Sequence, residues 1–256
     1  MSVNLAELYS SLNQRIMGGE TLPFAEKTFV GFYKAFVDGG SWQLYIDGVL
    51  NTLRITAMAL ILGVILGVVV ALIRVTWDKT CLEIRGPRRI VLAIANFAAK
   101  VYLTVIRGTP VIVQLLILYY VVFASSRNKL LVGALSFGIN SGAYVAEIIR
   151  SGIMSIDPGQ MEAGRSLGFG YVATMRHIIL PQAFKNVLPT LANEFIVLLK
   201  ETAVAGYVGL NDLTYVGNII GGNAYDYLFP LLISALVYLT LVMFFTFLVG
   251  KLERRL

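Results

Sequence analysis

Charged residues interrupt several segments of the sequence that are otherwise apolar. The main candidates for a functional role among them are Arg107, Glu147, Lys200 and Glu201, ahead of Lys100 and Glu194. A charge near the centre of a bilayer costs about 2.5–3.5 kcal/mol on insertion scales, so such residues mark either a polar pathway or an ion pair. A zwitterionic cargo would need a cationic and an anionic partner, or helix ends in those roles. Both interpretations stay open, because Arg107 could also pair permanently with Glu147 or Glu201, and Lys200 could reach an interface.

The residue types that most enzymes depend on are scarce. The chain has one histidine, His177, and one cysteine, Cys81, so a zinc site built from several such ligands is excluded, as is an internal disulfide. A Ser-His-Asp triad would depend on His177, which we expect to lie in a loop. The phosphate-binding pattern GxxxxGK[ST] is absent from the sequence. We therefore expect a chain that is not an enzyme, with no metal site and no bound cofactor.

The composition points to lipid as the solvent of this chain. Of its 256 residues, 57% are hydrophobic and 14% are charged, whereas about a quarter of the residues of a soluble domain are charged. A soluble fold of this length would need a more polar surface. We predict an all-α integral membrane protein.

Five segments are candidates for transmembrane helices. Two of them, residues 55–73 and 228–249, are uncharged and long enough to cross a hydrocarbon core of about 30 Å. Three more are apolar but carry charges: residues 90–124, 130–149 and 183–207. We predict about five spans, with six as the alternative count. The second span should bend or split near Pro110, because proline removes a helical hydrogen bond.

Lysine and arginine predict the orientation of these spans. They concentrate in residues 74–89, 150–185 and 251–255, which lie on one side of a five-span protein, while the loop at residues 209–226 has none. By the positive-inside rule, the N-terminus lies outside and the C-terminus inside. The net charge of +6 is then an orientation signal, and we expect no nucleic-acid partner.

The N-terminal segment, residues 1–47, differs from the predicted transmembrane domain, residues 48–256. Four aromatic residues recur in it at helical spacing: Phe29, Phe32, Tyr33 and Phe36. They predict either a helix that lies in the outer interface against membrane lipid, or a helix that packs on the first span. The segment is therefore predicted to be extracytoplasmic or interfacial.

A helix is predicted in the loop after the third span. Asp157 is a good N-cap, Pro158 falls at the first helical position, and Gln160 can complete a capping box. Gly168 supplies a left-handed stop, so the helix has about ten residues and is about 15 Å long. A second helical stretch should run from residue 171 and stop at Pro181.

This loop, at about residues 155–181, resembles the EAA loop of the membrane subunits of ATP-binding cassette (ABC) importers. That pattern is Glu-Ala-Ala, three residues, glycine, nine residues, isoleucine, one residue and Leu-Pro. The chain matches its spacing throughout, and departs from it only at Gly164, which replaces the second alanine. The matching positions are Glu162, Ala163, Gly164, Gly168, Ile178, Leu180 and Pro181.

Three further runs are similar to the polar amino-acid subfamily of these importers. They are Arg107-Gly-Thr-Pro110 with Gln114, Asn140-Ser-Gly-Ala-Tyr144 with Glu147, and Lys200-Glu-Thr-Ala203. The resemblance covers roughly residues 45–255. It implies a five-helix core, a second permease copy or homologue, a dimer of cytosolic ATPases that bind ATP and Mg²⁺, and an extracytoplasmic amino-acid-binding protein.

The resemblance also implies roles for individual residues. Glu162 would anchor the loop helix in a cleft of the ATPase, Ala163 and Gly164 would allow close approach, and Gly168 would set the turn. The alternative is that Glu162 only caps and solvates a loop helix. The substrate pathway is predicted to include residues from three of the predicted spans: Arg107, Thr109, Gln114, Asn140, Tyr144, Glu147, Glu201 and Thr202.

The resulting expectation is a permease subunit of an ATP-driven importer, which moves a polar amino acid across the bacterial cytoplasmic membrane. Two other classes remain as alternatives. A self-sufficient secondary transporter would explain the buried charges without partners, but the sequence shows no internal repeat. A membrane scaffold without a pathway would require that all buried polar groups pair with one another.

Overall fold

The computed structural model describes residues 4–82 and 84–255, and in these ranges the regular elements are helices. In chain order they are α1 (Leu5–Met17), α2 (Phe24–Phe36), α3 (Ser41–Thr80), α4 (Pro87–Gly108), α5 (Val111–Ile117), α6 (Lys129–Met154), α7 (Pro158–Ser166), α8 (Tyr171–Thr174), α9 (Leu180–Glu201), α10 (Leu213–Ala224) and α11 (Leu228–Glu253). Short 3₁₀ turns occupy Asp38–Gly40 and Thr202–Val208, and π turns occupy Leu118–Val122 and Met175–Ile179. The all-α prediction is confirmed.

Four helical stretches in the described part of the chain are long and apolar enough to cross a membrane. They are Phe24–Thr80, which contains α3, together with α4, α6 and α11. The remaining predicted span corresponds to α9, whose 22 residues give a length of about 33 Å. Helix α9 is not among the four stretches that meet both the length and the hydropathy of a membrane span, so the fourth predicted span stays a prediction.

The predicted break in the second span lies at Thr109 and Pro110. Helix α4 ends at Gly108, Thr109 is extended with φ −123° and ψ 147°, and α5 begins after Pro110. The residue before a proline is driven out of the helical region by the proline ring, and this steric effect accounts for the extended Thr109. The interrupted second span is therefore confirmed as α4 followed by α5.

The chain divides into two compact units, and the larger one comprises residues 53–210 and 242–256. Its centre is the contact between α3 and α6, where Gly63 lies against Ser141 and Gly67 lies against Val145. Gly63 and Gly67 are four residues apart, the GxxxG spacing that favours close packing of membrane helices. The buried core beside this contact contains Ile55, Ala59, Leu115, Phe137, Leu198, Ala205, Val208 and Leu210.

The smaller unit comprises the described part of residues 1–52 together with residues 211–241. Its core contains Ala35, Tyr45, Leu213, Val216, Ile220 and Ile233, and Phe36 of α2 packs against it. The rings of Tyr9 and Tyr33 stack at 4.4 Å, which joins α1 to α2. Helix α2 therefore packs against the core of the smaller unit through Phe36. Phe32 of the same helix is 47% exposed and is not part of that core. The predicted domain boundary at residue 47 stays a prediction.

Candidate functional site

Helix α7 forms where the loop sequence predicts a helix. It has nine residues, Pro158 occupies its first turn, and the Asp157 carboxylate accepts a hydrogen bond from Gly159 N at 2.8 Å. Gly168 adopts the left-handed conformation, with φ +85°, just beyond the helix end. The capping box is replaced by another contact, because Gln160 Oε1 accepts from Gln182 Nε2 at 3.4 Å. The short helix is thus fixed at both ends by local sequence.

Glu162 lies on the exposed face of α7. Its backbone carbonyl accepts a hydrogen bond from Ser166 Oγ at 2.9 Å, but its carboxylate has no hydrogen bond or ion pair with any residue that the structure describes. Ala163 beside it is also exposed. The exposed part of α7 thus includes an unpaired carboxylate next to a small residue, which leaves room for a donor group of another chain.

Gly164 lies on the opposite, buried face of α7. A methyl group at this position would come within 2.5 Å of Thr174 Cγ2 and 3.1 Å of Ile178 Cδ1. Thr174 is β-branched and donates a hydrogen bond to Gly170 O at 3.1 Å, so it cannot easily move away. The replacement of the family's second alanine by glycine therefore has a local cause: α7 packs closely on the following helical segment of its own chain.

The prediction that the second helical stretch stops at Pro181 is wrong. The chain continues from α8 through the π turn Met175–Ile179 directly into α9, with Pro181 in the first turn of α9. A π turn changes the hydrogen-bond register by one residue, which accommodates a residue that lacks an N–H. His177 lies in this turn and is exposed, within the segment that connects α6 to α9.

A buried hydrogen bond joins α6 to α9. Ser141 Oγ donates to Glu194 Oε1 at 2.9 Å, and Glu194 is 8% exposed. Within the described residues, Ser141 is the only hydrogen-bond partner of this carboxylate, and no lysine or arginine pairs with it. The sequence analysis did not select Ser141 or Glu194 for the pathway. The feature of the sequence that could have identified Glu194 was its position as an acidic residue inside the apolar segment 183–207.

Arg107 and Glu147 belong to a chain of charges along α4, α6 and α3. Arg107 Nη1 lies 3.9 Å from Glu147 Oε2, Arg150 Nη2 pairs with Glu147 Oε1, and Arg150 Nη1 lies 3.8 Å from Asp78 Oδ2. The Arg107 guanidinium also lies 5.8 Å from the Tyr144 ring centroid. Of the two partners considered for Arg107, the structure brings Glu147 to it. Arg150 and Asp78 were not predicted as part of this group.

Thr109, Gln114 and Asn140 form a buried network at the break between α4 and α5. Gln114 Nε2 donates to Ile106 O at 2.7 Å, to Thr109 O at 3.1 Å and to Thr109 Oγ1 at 2.8 Å. Gln114 Oε1 accepts from Asn140 Nδ2 at 2.9 Å. Gln114 thus satisfies backbone carbonyls left without helical partners at the end of α4. The three predicted pathway residues lie together, and protein groups occupy the hydrogen-bonding capacity of Gln114.

Glu201 and Thr202, the last two predicted pathway residues, lie where α9 gives way to a 3₁₀ turn. Thr202 is fully buried and donates from Oγ1 to Leu199 O at 2.9 Å. Glu201 is partly buried, and the neighbouring Lys200 is exposed. Among the described residues no ion pair joins Lys200 or Glu201 to the charge chain, and Glu147 is the acidic partner of Arg107.

Comparison with known proteins identifies the family. Residues 91–256 match the family model described as "Binding-protein-dependent transport system inner membrane component". The chain belongs to this family. Its members are transport permease subunits, and the match runs from within α4 to α11 and includes α7 and the network of Thr109, Gln114 and Asn140.

Individual relatives agree with this assignment. A Rickettsia typhi permease protein, GlnP, which is assigned to a glutamine transport system, is 38% identical over 214 residues, covering 82% of this chain and 92% of GlnP. The arginine transport system permease protein ArtQ of Bacillus subtilis is 37% identical over 214 residues, covering 82% of this chain and 91% of ArtQ. This chain is thus similar over most of its length to amino-acid ABC transporter permeases.

A solved structure gives the same result for the fold. A chain in the crystal structure of an amino-acid ABC transporter with histidines superposes with a TM-score of 0.75 at 38% identity. The match covers 92% of this chain and 100% of that chain. The predicted ABC importer permease fold is therefore confirmed. The roles assigned to single residues of α7 and of the polar clusters remain predictions.

Proposed function

We propose that this permease moves a polar amino acid across the bacterial cytoplasmic membrane, driven by ATP hydrolysis on a partner chain. The observation that carries the proposal is the Glu194 carboxylate, which is buried in a long helix and accepts one hydrogen bond from a neutral serine. A buried carboxylate without a cationic partner is costly unless it takes up a proton or a cation joins it. Every amino-acid cargo brings an ammonium group that can take this place.

The cargo carboxylate requires a cationic partner, and Arg107 supplies one. Its guanidinium is partly exposed and lies 3.9 Å from Glu147, at the limit of an ion pair, so most of its five N–H donors remain available. Arg150 lies closer to the Glu147 carboxylate than Arg107 does, and therefore compensates more of its charge. We assign Arg107 and Tyr144 to the polar path, and Thr109, Gln114, Asn140 and Thr202 to its support. Glu147 and Glu201 complete the pathway set.

The coupling to ATP is assigned to α7. The unpaired Glu162 carboxylate would bind a donor group of the cytosolic ATPase, with Ala163 allowing close approach, while Gly164, Gly168 and Pro181 hold the helix on its own chain. ATP and Mg²⁺ would be bound by the ATPase dimer, and this chain would bind no cofactor. Closure of that dimer would displace α7. Gly164 of α7 packs on Thr174 and Ile178, and the stretch that contains them runs continuously from α8 into α9, so α9 would transmit the movement into the membrane.

The proposed assembly contains two permease subunits, which are two copies of this chain or a copy and a homologue. An extracytoplasmic amino-acid-binding protein would deliver the cargo on the side of the N-terminus. In this multi-pass arrangement the N-terminus lies outside and the C-terminus inside, because Lys and Arg concentrate in residues 74–89, 150–185 and 251–255. Residues 1–47 would form the extracytoplasmic or interfacial segment beside the transmembrane domain.

Uptake in reconstituted liposomes tests the proposal. The chain is reconstituted with the ATPase, the binding protein and any second permease encoded beside it, and uptake of labelled glutamine, arginine and cystine is measured with ATP and with a non-hydrolysable ATP analogue inside. ATP-dependent uptake of at least one of these amino acids is expected. Uptake by the permease chain alone, driven by an ion gradient and unaffected by ATP, would instead favour the secondary-transporter alternative.

A further inference from the structure

An apolar groove lies in the smaller unit, beside the start of α3. It has a volume of about 290 Å³ and is lined by Phe36, Trp42, Tyr45, Ile46, Val49, Leu50 and Val237. The Tyr45 hydroxyl, the main polar group of this wall, donates to Pro230 O at 3.2 Å and is thereby satisfied. The groove offers no charged side chain to a polar cargo, so its occupant must itself be apolar.

The level of the groove in the membrane follows from Val237, the residue of α11 in its lining. The Tyr45 hydrogen bond to Pro230 places the beginning of α3 beside the beginning of α11. Val237 lies nine residues after Leu228, the first residue of α11, which corresponds to about 14 Å at a rise of 1.5 Å per residue. Half of a hydrocarbon core of about 30 Å is about 15 Å. Counted from the start of α11, Val237 and the groove therefore lie within one leaflet.

Aromatic residues mark the upper end of this groove. Trp42 is 44% exposed at its rim, and Tyr227, just before α11, is 53% exposed. Exposed tryptophan and tyrosine side chains concentrate where headgroups meet hydrocarbon, because their rings are apolar and their N–H or O–H remains wet. Trp42 and Tyr227 together indicate the level of the membrane surface on the N-terminal side of the chain.

The groove is continuous with a surface that faces lipid. In the part of α11 that belongs to the smaller unit, the exposed large apolar residues include Leu231, Leu232, Leu236 and Leu239, and Ala235 and Thr240 are exposed among them. Helix α11 meets the length and hydropathy of a membrane span, so this leucine face borders hydrocarbon. A chain of the surrounding lipid can therefore enter the groove without leaving the bilayer.

We propose that this groove holds one acyl chain of a membrane phospholipid, from the leaflet next to the N-terminus. In the proposed orientation this is the outer leaflet. The lipid would pack between Phe36 of α2 and Val237 of α11, with its headgroup near Trp42. The N-terminal helices would then hold a lipid against the transmembrane domain, a role that is independent of the identity of the cargo.

Tryptophan fluorescence tests the position of the groove in the membrane. The chain contains two tryptophans, Trp42 and Trp77, so Trp77→Phe leaves Trp42 as its single reporter, and Trp42→Phe leaves Trp77. Each full-length variant is reconstituted into phosphatidylcholine vesicles whose acyl chains are brominated at defined carbons. We expect an about twofold loss of Trp42 emission, strongest with bromine in the half of the chain nearer the headgroup. Trp42 emission that no brominated lipid quenches would overturn the proposal.

A second experiment separates an occupied groove from general immersion in lipid. Val237→Phe fills the groove, whereas Leu236→Phe places the same ring on the neighbouring lipid-exposed position. Both variants are reconstituted with a phospholipid that carries a photoactivatable diazirine in its acyl chain, and adducts on the peptide containing residues 42–50 are measured by mass spectrometry. We expect Val237→Phe to lose most of these adducts and Leu236→Phe to retain them. Equal labelling of the two variants would contradict an occupied groove.

Discussion

Ser141 Oγ and Glu194 Oε1 lie 2.9 Å apart and join α6 to α9 in the interior of the larger unit. Ser141 reaches this position because Gly63 of α3 has no side chain, and a methyl group there would lie 3.0 Å from Ser141 Oγ. The close packing of α3 on α6 therefore also places Ser141 where it can donate a hydrogen bond to the buried Glu194 carboxylate.

Replacement of Glu194 by glutamine should weaken uptake of cargo. The variant keeps the shape of the side chain and can still accept a hydrogen bond from Ser141, but it loses the charge that would bind an ammonium group. A hydrogen bond to a charged group contributes about 1.5–3 kcal/mol, so we expect the KM for ATP-driven uptake to rise about 10- to 100-fold. Uptake rates over a range of cargo concentrations measure this directly.

The control for this prediction is Glu253→Gln, which changes an exposed carboxylate near the end of α11. It should leave both the KM and the expression level unchanged. If Glu194→Gln transports with an unaltered KM, the carboxylate is a structural partner of Ser141 and does not contact the cargo.

Gly67→Ala should destabilise the transmembrane unit. A methyl group at residue 67 would lie 2.5 Å from Val145 Cγ1 and 3.0 Å from the backbone nitrogen of Ala146, so α3 and α6 would have to separate. Overpacking of this kind costs about 1–3 kcal/mol. Thermal unfolding in detergent should show a lowered Tm. Gly250→Ala, also in a helix but with no neighbouring atom within 4 Å, should leave the Tm unchanged, and equal shifts in the two variants would refute the packing account.

Local sequence was sufficient to predict the structural elements that depend on interactions between neighbouring residues. Asp157, Pro158 and Gly168 define α7 because capping and left-handed turns depend on a few adjacent residues. The break at Thr109 follows from the proline after it. The prediction that the helical stretch ends at Pro181 was wrong, because the π turn before this proline changes the hydrogen-bond register. That turn is a feature of the packed segment.

Contacts between distant residues could not be predicted in this way. Ser141 and Glu194 are 53 positions apart, and nothing in either segment alone indicates that their helices meet. The sequence could predict that Gly164 is a small residue where another group approaches α7 closely. That this neighbour is Thr174 was visible only in the structure. Arg107 had two possible partners in the sequence, and only the arrangement of α4 and α6 selects Glu147.

The contact between Gly164 and Thr174 predicts that the effects of substitutions at these two positions on Tm are not additive. Gly164→Ala restores the family's alanine but should lower the Tm, because its methyl group meets Thr174 Cγ2 at 2.5 Å. Thr174→Ala removes that atom, so the double variant should be more stable than the sum of the two single effects. Adjacent residues of this kind show interaction energies of about 0.5–3 kcal/mol. Strictly additive Tm changes would contradict the account of Gly164.

Gln114→Leu should open the break between α4 and α5. The substitution leaves Ile106 O, Thr109 O and Asn140 Nδ2 without the partners that Gln114 provides. At about 1 kcal/mol for each lost hydrogen bond, we expect a loss of about 2–4 kcal/mol and a lower Tm. Gln43→Leu, at an exposed glutamine early in α3, is the control. An unchanged Tm together with a raised KM for uptake would show that Gln114 acts on the cargo instead.

The most direct test of the account is charge reversal at Glu162, the exposed and unpaired carboxylate of α7. The permease with Glu162→Lys is co-expressed with its ATPase, and three quantities are measured: Tm, the amount of ATPase that co-purifies, and ATP-driven uptake. Glu253→Lys is the control, because it reverses an exposed charge of the C-terminal tail. The account predicts an unchanged Tm for both variants, with ATPase binding and uptake lost in Glu162→Lys alone. Normal ATPase binding and normal uptake in Glu162→Lys would contradict the assignment of α7 as the coupling element.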